Sequence, residues 1–335
     1  IREDPVRPGL LYLGTENALY VSFDDGANWQ SLNTDLPASP VYGLYVQEHF
    51  NDLVVGTYGR GFWILDDLSP LQQLTESVRG TEAHLFEPRD TYRFHNRTSA
   101  MTMPNDPSAG ENPTYGTPIN YWLGSEPSGS VTIRIENSSG ETIRTLSGTS
   151  KVGLNRIHWD IRSEPSTEVR LRTKPLYADW VDLGPDGWRS GGGQITILEP
   201  PGEYTVVLST GTTTQSQSLT VMKDPNSEGS AADVAEQVAL LRVMQADAAA
   251  AAETANEIEW VRKQLDDLEE LLEERGETEL LDASGELMGT LIAVEEKLVQ
   301  LWETGTGQDQ VRWPVKALGR LTYLARNVAT SDFPP

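Results

Sequence analysis

The stretch Ser22-Phe23-Asp24-Asp25-Gly26-Ala27-Asn28-Trp29 constrains the fold more than any other part of the chain. In the spacing Ser-x-Asp-x-Gly-x-x-Trp, the Asp24 carboxylate can bond the backbone of its own tight turn and Gly26 can take a positive φ. Trp29 can then open the next strand by burying a large ring. Such a turn staples two strands together; it stabilises and does no chemistry. Short apolar runs flank it at Leu10 to Gly14, Leu19 to Ser22 and Trp29 to Leu32, which is strand-turn-strand spacing.

This pattern is an Asp-box, the turn that staples a β-propeller blade, and a second set of strand-like runs follows at Val41 to Gln47, Leu53 to Thr57 and Phe62 to Leu65. A propeller ring closes only with about four or more blades of roughly 40 to 50 residues each. The chain changes character after about Leu74. Residues 1–75 are therefore expected to form one or two blade-like units that cannot close a ring.

Residues 76–118 read as a connector, with a strand-like piece at Ala83 to Phe86 and a polar, Pro- and Gly-rich stretch from Met101 to Pro118 that should run over the surface. Alternation returns in residues 119–224, at Ile119 to Leu123, Val131 to Glu136, Thr142 to Leu146, Arg156 to Ile161, Ile195 to Leu198, Tyr204 to Leu208 and Ser216 to Val221. Seven short strands with turns such as Ser139-Gly140 and Pro201-Gly202 predict an immunoglobulin- or fibronectin-like β-sandwich. Val131, Ile133 and Ile135 should face its core while Thr132, Arg134 and Glu136 face water. Gly191-Gly192-Gly193 reads as a flexible turn, because no Lys-Ser or Lys-Thr follows to make a phosphate loop.

The period changes from 2 to 3.6 after Asp224-Pro225, so residues 225–335 are expected to form an antiparallel three-helix bundle. Ser230 caps a first helix of about 44 residues, with Val234, Val238, Leu241, Ala248, Ala252 and Ala255 on one stripe and Gly276 at its end. Leu287, Leu291, Val294, Leu298 and Leu301 mark a second helix that stops near Gly305 to Gly307. A third has Pro314 in its first turn and Val315, Leu318, Leu321 and Val328 inside. The small residues Ala248 to Ala252 suit close helix approach.

Together these residues resemble bacterial exported proteins with BNR or Asp-box repeats, the sortilin-like group often labelled glycosyl hydrolase. The likeness rests on the Asp-box, on Gly56-Thr57-Tyr58-Gly59-Arg60-Gly61-Phe62-Trp63-Ile64-Leu65-Asp66-Asp67 and on Ala83-His84-Leu85-Phe86. It continues through Gly153-Leu154-Asn155-Arg156-Ile157-His158-Trp159-Asp160-Ile161-Arg162 and Pro200-Pro201-Gly202-Glu203-Tyr204-Thr205-Val206, and ends at Trp313-Pro314-Val315-Lys316. Members of that family look like long propellers followed by a β-sandwich and a helical tail, so the resemblance covers their C-terminal third. It implies a place outside the cytoplasm, in the periplasm or at the cell surface of a bacterium.

With 335 residues and a net charge of -24, the chain is an unfavourable partner for nucleic acid, which requires clustered Lys and Arg. No run approaches the roughly 18 apolar residues of a membrane span, so membrane association would be peripheral and through a partner. The chain opens at Ile1 without a signal segment, which predicts a mature or trimmed product. There is no Cys, hence no thiolate chemistry, and the four histidines, His49, His84, His95 and His158, lack metal spacing. The acidic run Asp266 to Glu274 reads as a solvated helix face; a calcium site would need ligands converging from a loop. No catalytic, metal or cofactor-binding residue is identifiable. Glycoside hydrolysis needs paired carboxyl groups converging from several blades, and Arg60, Arg89, Arg93 and Arg97 read as anchors of strand ends. Tyr177, Trp180 and Trp188 cluster in an insertion, where they could either stack on sugar faces or plug an internal junction.

The sequence therefore predicts a non-catalytic extracytoplasmic interaction or scaffold protein, an accessory subunit docked on the outer face of a larger membrane-bound assembly, whose open blade edges or long first helix, projecting as a strut, meet a protein partner. The alternative is the accessory C-terminal region of a BNR-repeat hydrolase, or a carbohydrate-binding module.

Overall fold

The computed structural model describes residues 1–33, 35–95, 110, 112–211, 213–304 and 311–332. Most of the polar Met101 to Pro118 stretch, Arg97, and the expected helix stop at Gly305 to Gly307 lie outside them. The chain is mixed β plus α, with several sheets and one long C-terminal helix. It divides into two compact units, residues 1–161 with 201–224, and residues 162–200 with 225–335.

The first unit begins with two antiparallel sheets. One joins β1 (Arg2–Glu3), β2 (Leu11–Gly14), β3 (Leu19–Ser22) and β4 (Gln30–Ser31) in sequence order; the other joins β5 (Val41–Gln47), β6 (Asp52–Thr57) and β7 (Phe62–Leu65). Alternation along each strand sends one row inward, and Leu10, Tyr12, Leu19, Val21, Val41, Val46, Leu53 and Val55 form a shared core. Gly14 is needed there: a Cβ at this position would lie 2.4 Å from Val41 Cγ1. Two short helices follow, α1 (Ser69–Gln73) and α2 (Glu76–Arg79).

Two further sheets complete this unit. β8 (Ala83–Leu85), β10 (Thr117–Leu123) and β13 (Gly153–Trp159) pair in the order β13-β10-β8. The other is ordered β12-β11-β16-β17-β9, from β9 (Thr91–Arg93), β11 (Thr132–Glu136), β12 (Thr142–Ser147), β16 (Gly202–Ser209) and β17 (Thr214–Lys223). Its β9–β17 pairing is parallel and the others are antiparallel. Val131, Ile133 and Ile135 are buried, while Thr132, Arg134 and Glu136 are half-buried. A buried polar knot joins this half to the first: Asp67 accepts from Ser69 Oγ at 2.6 Å and from Asn120 Nδ2 at 2.7 Å. Arg156 donates to Asn120 Oδ1 at 2.7 Å and to the carbonyl oxygens of Asp66 and Asp67.

The second unit is built on α3 (Ala231–Arg275). Ser230 and Asp233 form a reciprocal capping box at its start, and Gly276 ends it at φ 71°. α4 (Thr278–Leu298) follows after one turn of chain and runs back along α3, as the Glu269–Ser284 and Arg262–Glu295 contacts show. α5 (Ala317–Val328) ends beside the start of α3, where Gln237 donates to the Val328 carbonyl at 2.7 Å. Ala248, Ala252 and Ala255 are fully buried in this core with Val234, Val238 and Leu241. Pro314 and Val315, expected inside the third helix, precede it.

Three expectations are corrected here. Ile195 to Leu198 is not a sandwich strand: it forms only an isolated bridge from Leu198 to Arg162, and its Ile195 and Ile197 side chains enter the helical core. Residues 162–200, placed by sequence within the 119–224 segment, belong to the helical unit. Gly191 and Gly192 lie in β15 (Arg189–Gly192), paired with β14 (Val169–Leu171), rather than in a flexible turn. Close approach explains these glycines: a Cβ on Gly191 would meet Val169 Cγ1 at 2.6 Å, and one on Gly193 would meet Leu318 Cδ2 at 2.4 Å.

Candidate functional site

The Ser22 to Trp29 turn connects β3 to β4. Asp25 and Gly26 take φ of 56° and 87° in succession, which reverses the chain and turns the Asp24 carboxylate toward the peptide units that follow. Asp24 accepts from the Asn28 backbone at 2.8 Å, from Asn28 Nδ2 at 2.7 Å and from Ser22 Oγ at 2.8 Å. Hydrogen bonds from the Asn28 side chain and backbone, then from Ser22, hold the Asp24 carboxyl below the usual carboxylate range. Ser22 Oγ in turn accepts from the Gly26 N–H at 2.9 Å. Trp29 is half-buried, and its ring lies 3.5 Å from where a Gly26 Cβ would sit. The Ser22, Asp24 and Asn28 side chains bond within the turn and the Asp25 N–H donates to the Gly9 carbonyl at 2.9 Å, so these contacts brace the backbone.

A different surface is open to a ligand. Residues on successive strands of the β5-β6-β7 sheet align across its solvent side: Tyr45 pairs with Val54, which pairs with Ile64, and Gly43 pairs with Gly56, which pairs with Phe62. Tyr45 is 64% exposed, Ile64 59% and Phe62 84%. The Phe62 ring edge lies 3.7 Å from the position of a Gly56 Cβ, so the two glycines leave a shelf that this ring overhangs. The β6–β7 turn is braced: Thr57 Oγ1 donates to the Gly61 carbonyl at 2.7 Å and Trp63 Nε1 to the Arg60 carbonyl at 2.9 Å. Tyr42 and Tyr58 add a further exposed ring pair with centroids 5.6 Å apart. β7 pairs with β6 alone among the described residues and leaves one edge of backbone donors and acceptors free.

The aromatic insertion of the second unit separates the three residues grouped by sequence. Tyr177 and Trp180 are 83% and 74% exposed, whereas Trp188 is half-buried with the Arg170 guanidinium 4.9 Å above its ring. Tyr177 pairs instead with Trp302, at 4.9 Å between centroids, and Trp302 stacks on Trp313 at 5.1 Å. Sequence reading missed Trp302 because more than one hundred residues separate it from Tyr177 and only the tertiary fold joins them.

It also missed a buried ionic group. Arg262 Nη1 donates to Glu259 Oε1 and to Glu295 Oε2, each at 2.7 Å, and all three side chains are buried. Glu259 also accepts from the Thr173 N–H and Oγ1, both at 2.8 Å, which ties the insertion to α3. Burial first, then the charge of Glu259, pushes the Glu295 carboxyl up to about 8 against the pull of Arg262. One Glu and one Arg three positions apart beside an apolar stripe look like a solvated helix pair in sequence, so the signal was hidden.

His84 packs edge-on against Phe86 at 5.1 Å, and burial lowers its pKa; burial, then Arg156 and Arg89, lowers that of His158. Among the described residues no group of three or more His, Asp or Glu side chains is placed to hold a metal ion. Among them, too, no helix is long and apolar enough to cross a membrane. No protein-family model, curated protein or solved structure matches this chain.

Proposed function

We propose that this chain is a non-catalytic interaction protein that works outside the cytoplasm as an accessory subunit of a larger assembly. The observation that carries the reading is the aligned apolar face Tyr45–Val54–Ile64 with Phe62, beside a free β7 edge. Soluble monomers rarely leave such a contiguous face in water, and rigid presentation lowers the entropy cost of covering it. A pleated apolar face is best matched by another sheet, so the partner is a β-rich protein that lays strands on or beside β7. In this reading β1–β4 and β5–β7 are two propeller-type blades, β8–β13 with β16 and β17 a sandwich, and α3–α5 a three-helix bundle. The likeness to Asp-box proteins supports both the blades and the extracytoplasmic placement.

The test is the size of the native protein. Extracted at native abundance, it should migrate in a complex that chemical cross-linking ties to the β5–β7 region. The double substitution Phe62→Asp with Ile64→Lys should release it without lowering its melting temperature, because both side chains are already in water. A free, stable monomer at native abundance refutes the proposal.

A further inference from the structure

We infer that the open ring face of Tyr177 is a binding site for a neutral glycan. The site lies in the second unit and does not depend on the docking face proposed above. The β14–β15 insertion is anchored on its inner side: Thr173 is bound to Glu259, the Leu176 N–H donates to the Leu301 carbonyl at 3.0 Å, and Ala178 is buried. The Ala178 N–H donates to the Pro175 carbonyl and the Val181 N–H to the Ala178 carbonyl, folding the segment into successive turns. On its outer side the insertion presents rings to water.

Tyr177 takes φ 62°, a left-handed conformation that costs a bulky residue steric strain. The residue is 83% exposed, so the fold recovers little of that cost by burying it. What the conformation achieves is alignment: Tyr177 heads a column through Trp302 and Trp313, inclined by 33° and 27° at the two steps. The far end is covered by the Arg312 guanidinium, 5.2 Å from the Trp313 centroid, and Trp302 Nε1 is held by Glu296. The outer face of Tyr177 is the end left to solvent.

The chemistry of that face selects the ligand. Cation recognition works best where several ring faces converge on one point, whereas a column presents a single platform. A pyranose needs only one platform for its C–H face, with hydrogen-bond acceptors around it for the hydroxyls. Asp179, Asp182 and Asp186 are exposed acceptors in the same insertion, and Trp180, 74% exposed, lies three residues from Tyr177. These carboxylates, on a chain of net charge -24, repel acidic sugars and nucleotides.

The experiment titrates the full chain with cello-, manno- and chito-oligosaccharides, followed by tryptophan fluorescence and calorimetry. At least one neutral series should bind with a Kd of roughly 0.1 to 1 mM. Tyr177→Gly removes the ring and relieves the backbone. It should weaken binding at least about tenfold at unchanged helical ellipticity, while Trp188→Ala should leave affinity within about twofold. Sialyllactose and oligogalacturonate should bind at least about tenfold more weakly than the neutral ligand. Silence across the neutral panel, affinity indifferent to Tyr177→Gly, tighter binding of the acidic sugars, or binding of choline in place of sugar would each overturn the inference.

Discussion

Replacing Glu295 by Gln isolates a single proton in the core of the helical unit. Gln keeps the shape of a protonated carboxyl and offers a carbonyl oxygen to Arg262 Nη1, which Glu295 Oε2 meets at 2.7 Å. The Glu295 carboxyl titrates near 8 in the folded chain, raised by burial and by Glu259 from an ordinary 4.5. Between those values the native state holds a proton that the unfolded state has released, so this residue's stabilisation is fully present below about pH 4.5 and is lost as pH rises through 8. The loss runs at about 1.4 kcal/mol per pH unit, or roughly 3 to 4 kcal/mol between about pH 5 and pH 8. Glu295→Gln should flatten that part of the profile, leaving the variant less sensitive than the parent to alkaline pH by this amount. Urea unfolding followed by far-UV ellipticity reads the effect where it arises, because the long helices all belong to this unit. Parallel pH profiles for parent and variant would refute the assignment of a buried, protonated Glu295.

Other substitutions probe the remaining structure. Asp67→Ala removes the buried acceptor of Asn120 Nδ2 and Ser69 Oγ and the carboxylate 3.7 Å from Arg156, and should cost about 3 kcal/mol, measured by urea unfolding with tryptophan fluorescence. Gly116→Ala meets the Trp159 carbonyl oxygen at 2.0 Å from a φ of 111°, so soluble yield and melting temperature should fall sharply, by about 3 kcal/mol or more in stability. Ser230→Ala breaks the capping box of α3 and should cost about 1 kcal/mol, seen as a lower urea midpoint of the helical signal.

Local rules were legible wherever local physics decided the outcome. Ser230 and Gly276 bracket α3 because caps are short-range devices, and the alternation of Val131, Ile133 and Ile135 marks their buried face for the same reason. The partners of residues far apart in sequence were not legible. Gly191 looked like a free turn because its need to clear Val169 exists only once β14 and β15 pair. Ile195 to Leu198 has the apolar content of a strand, yet its carbonyls accept from Ser163 and Ser166 in a loop, and Ile195 and Ile197 join the helical core together with Val169 and Leu171. At the candidate sites, Tyr45, Ile64 and Phe62 could be read as strand residues, but their common solvent side depends on register. Tyr177 could be named, whereas its stacking companions Trp302 and Trp313 and the Glu259–Arg262–Glu295 group required tertiary structure.

Because residues 162–200 join the unit completed by 225–335, while 201–224 return to the other, the polypeptide passes between the two bodies three times. Neither body is a contiguous length of chain, so no single cut releases either one whole. During synthesis Val169, Leu171 and Ile197 emerge well before the α3 side chains that cover them, and the hairpin must wait for the tail. A stop codon just after Asp224 would strand those apolar residues permanently, making a truncated product a substrate for aggregation and proteolysis rather than a smaller working protein.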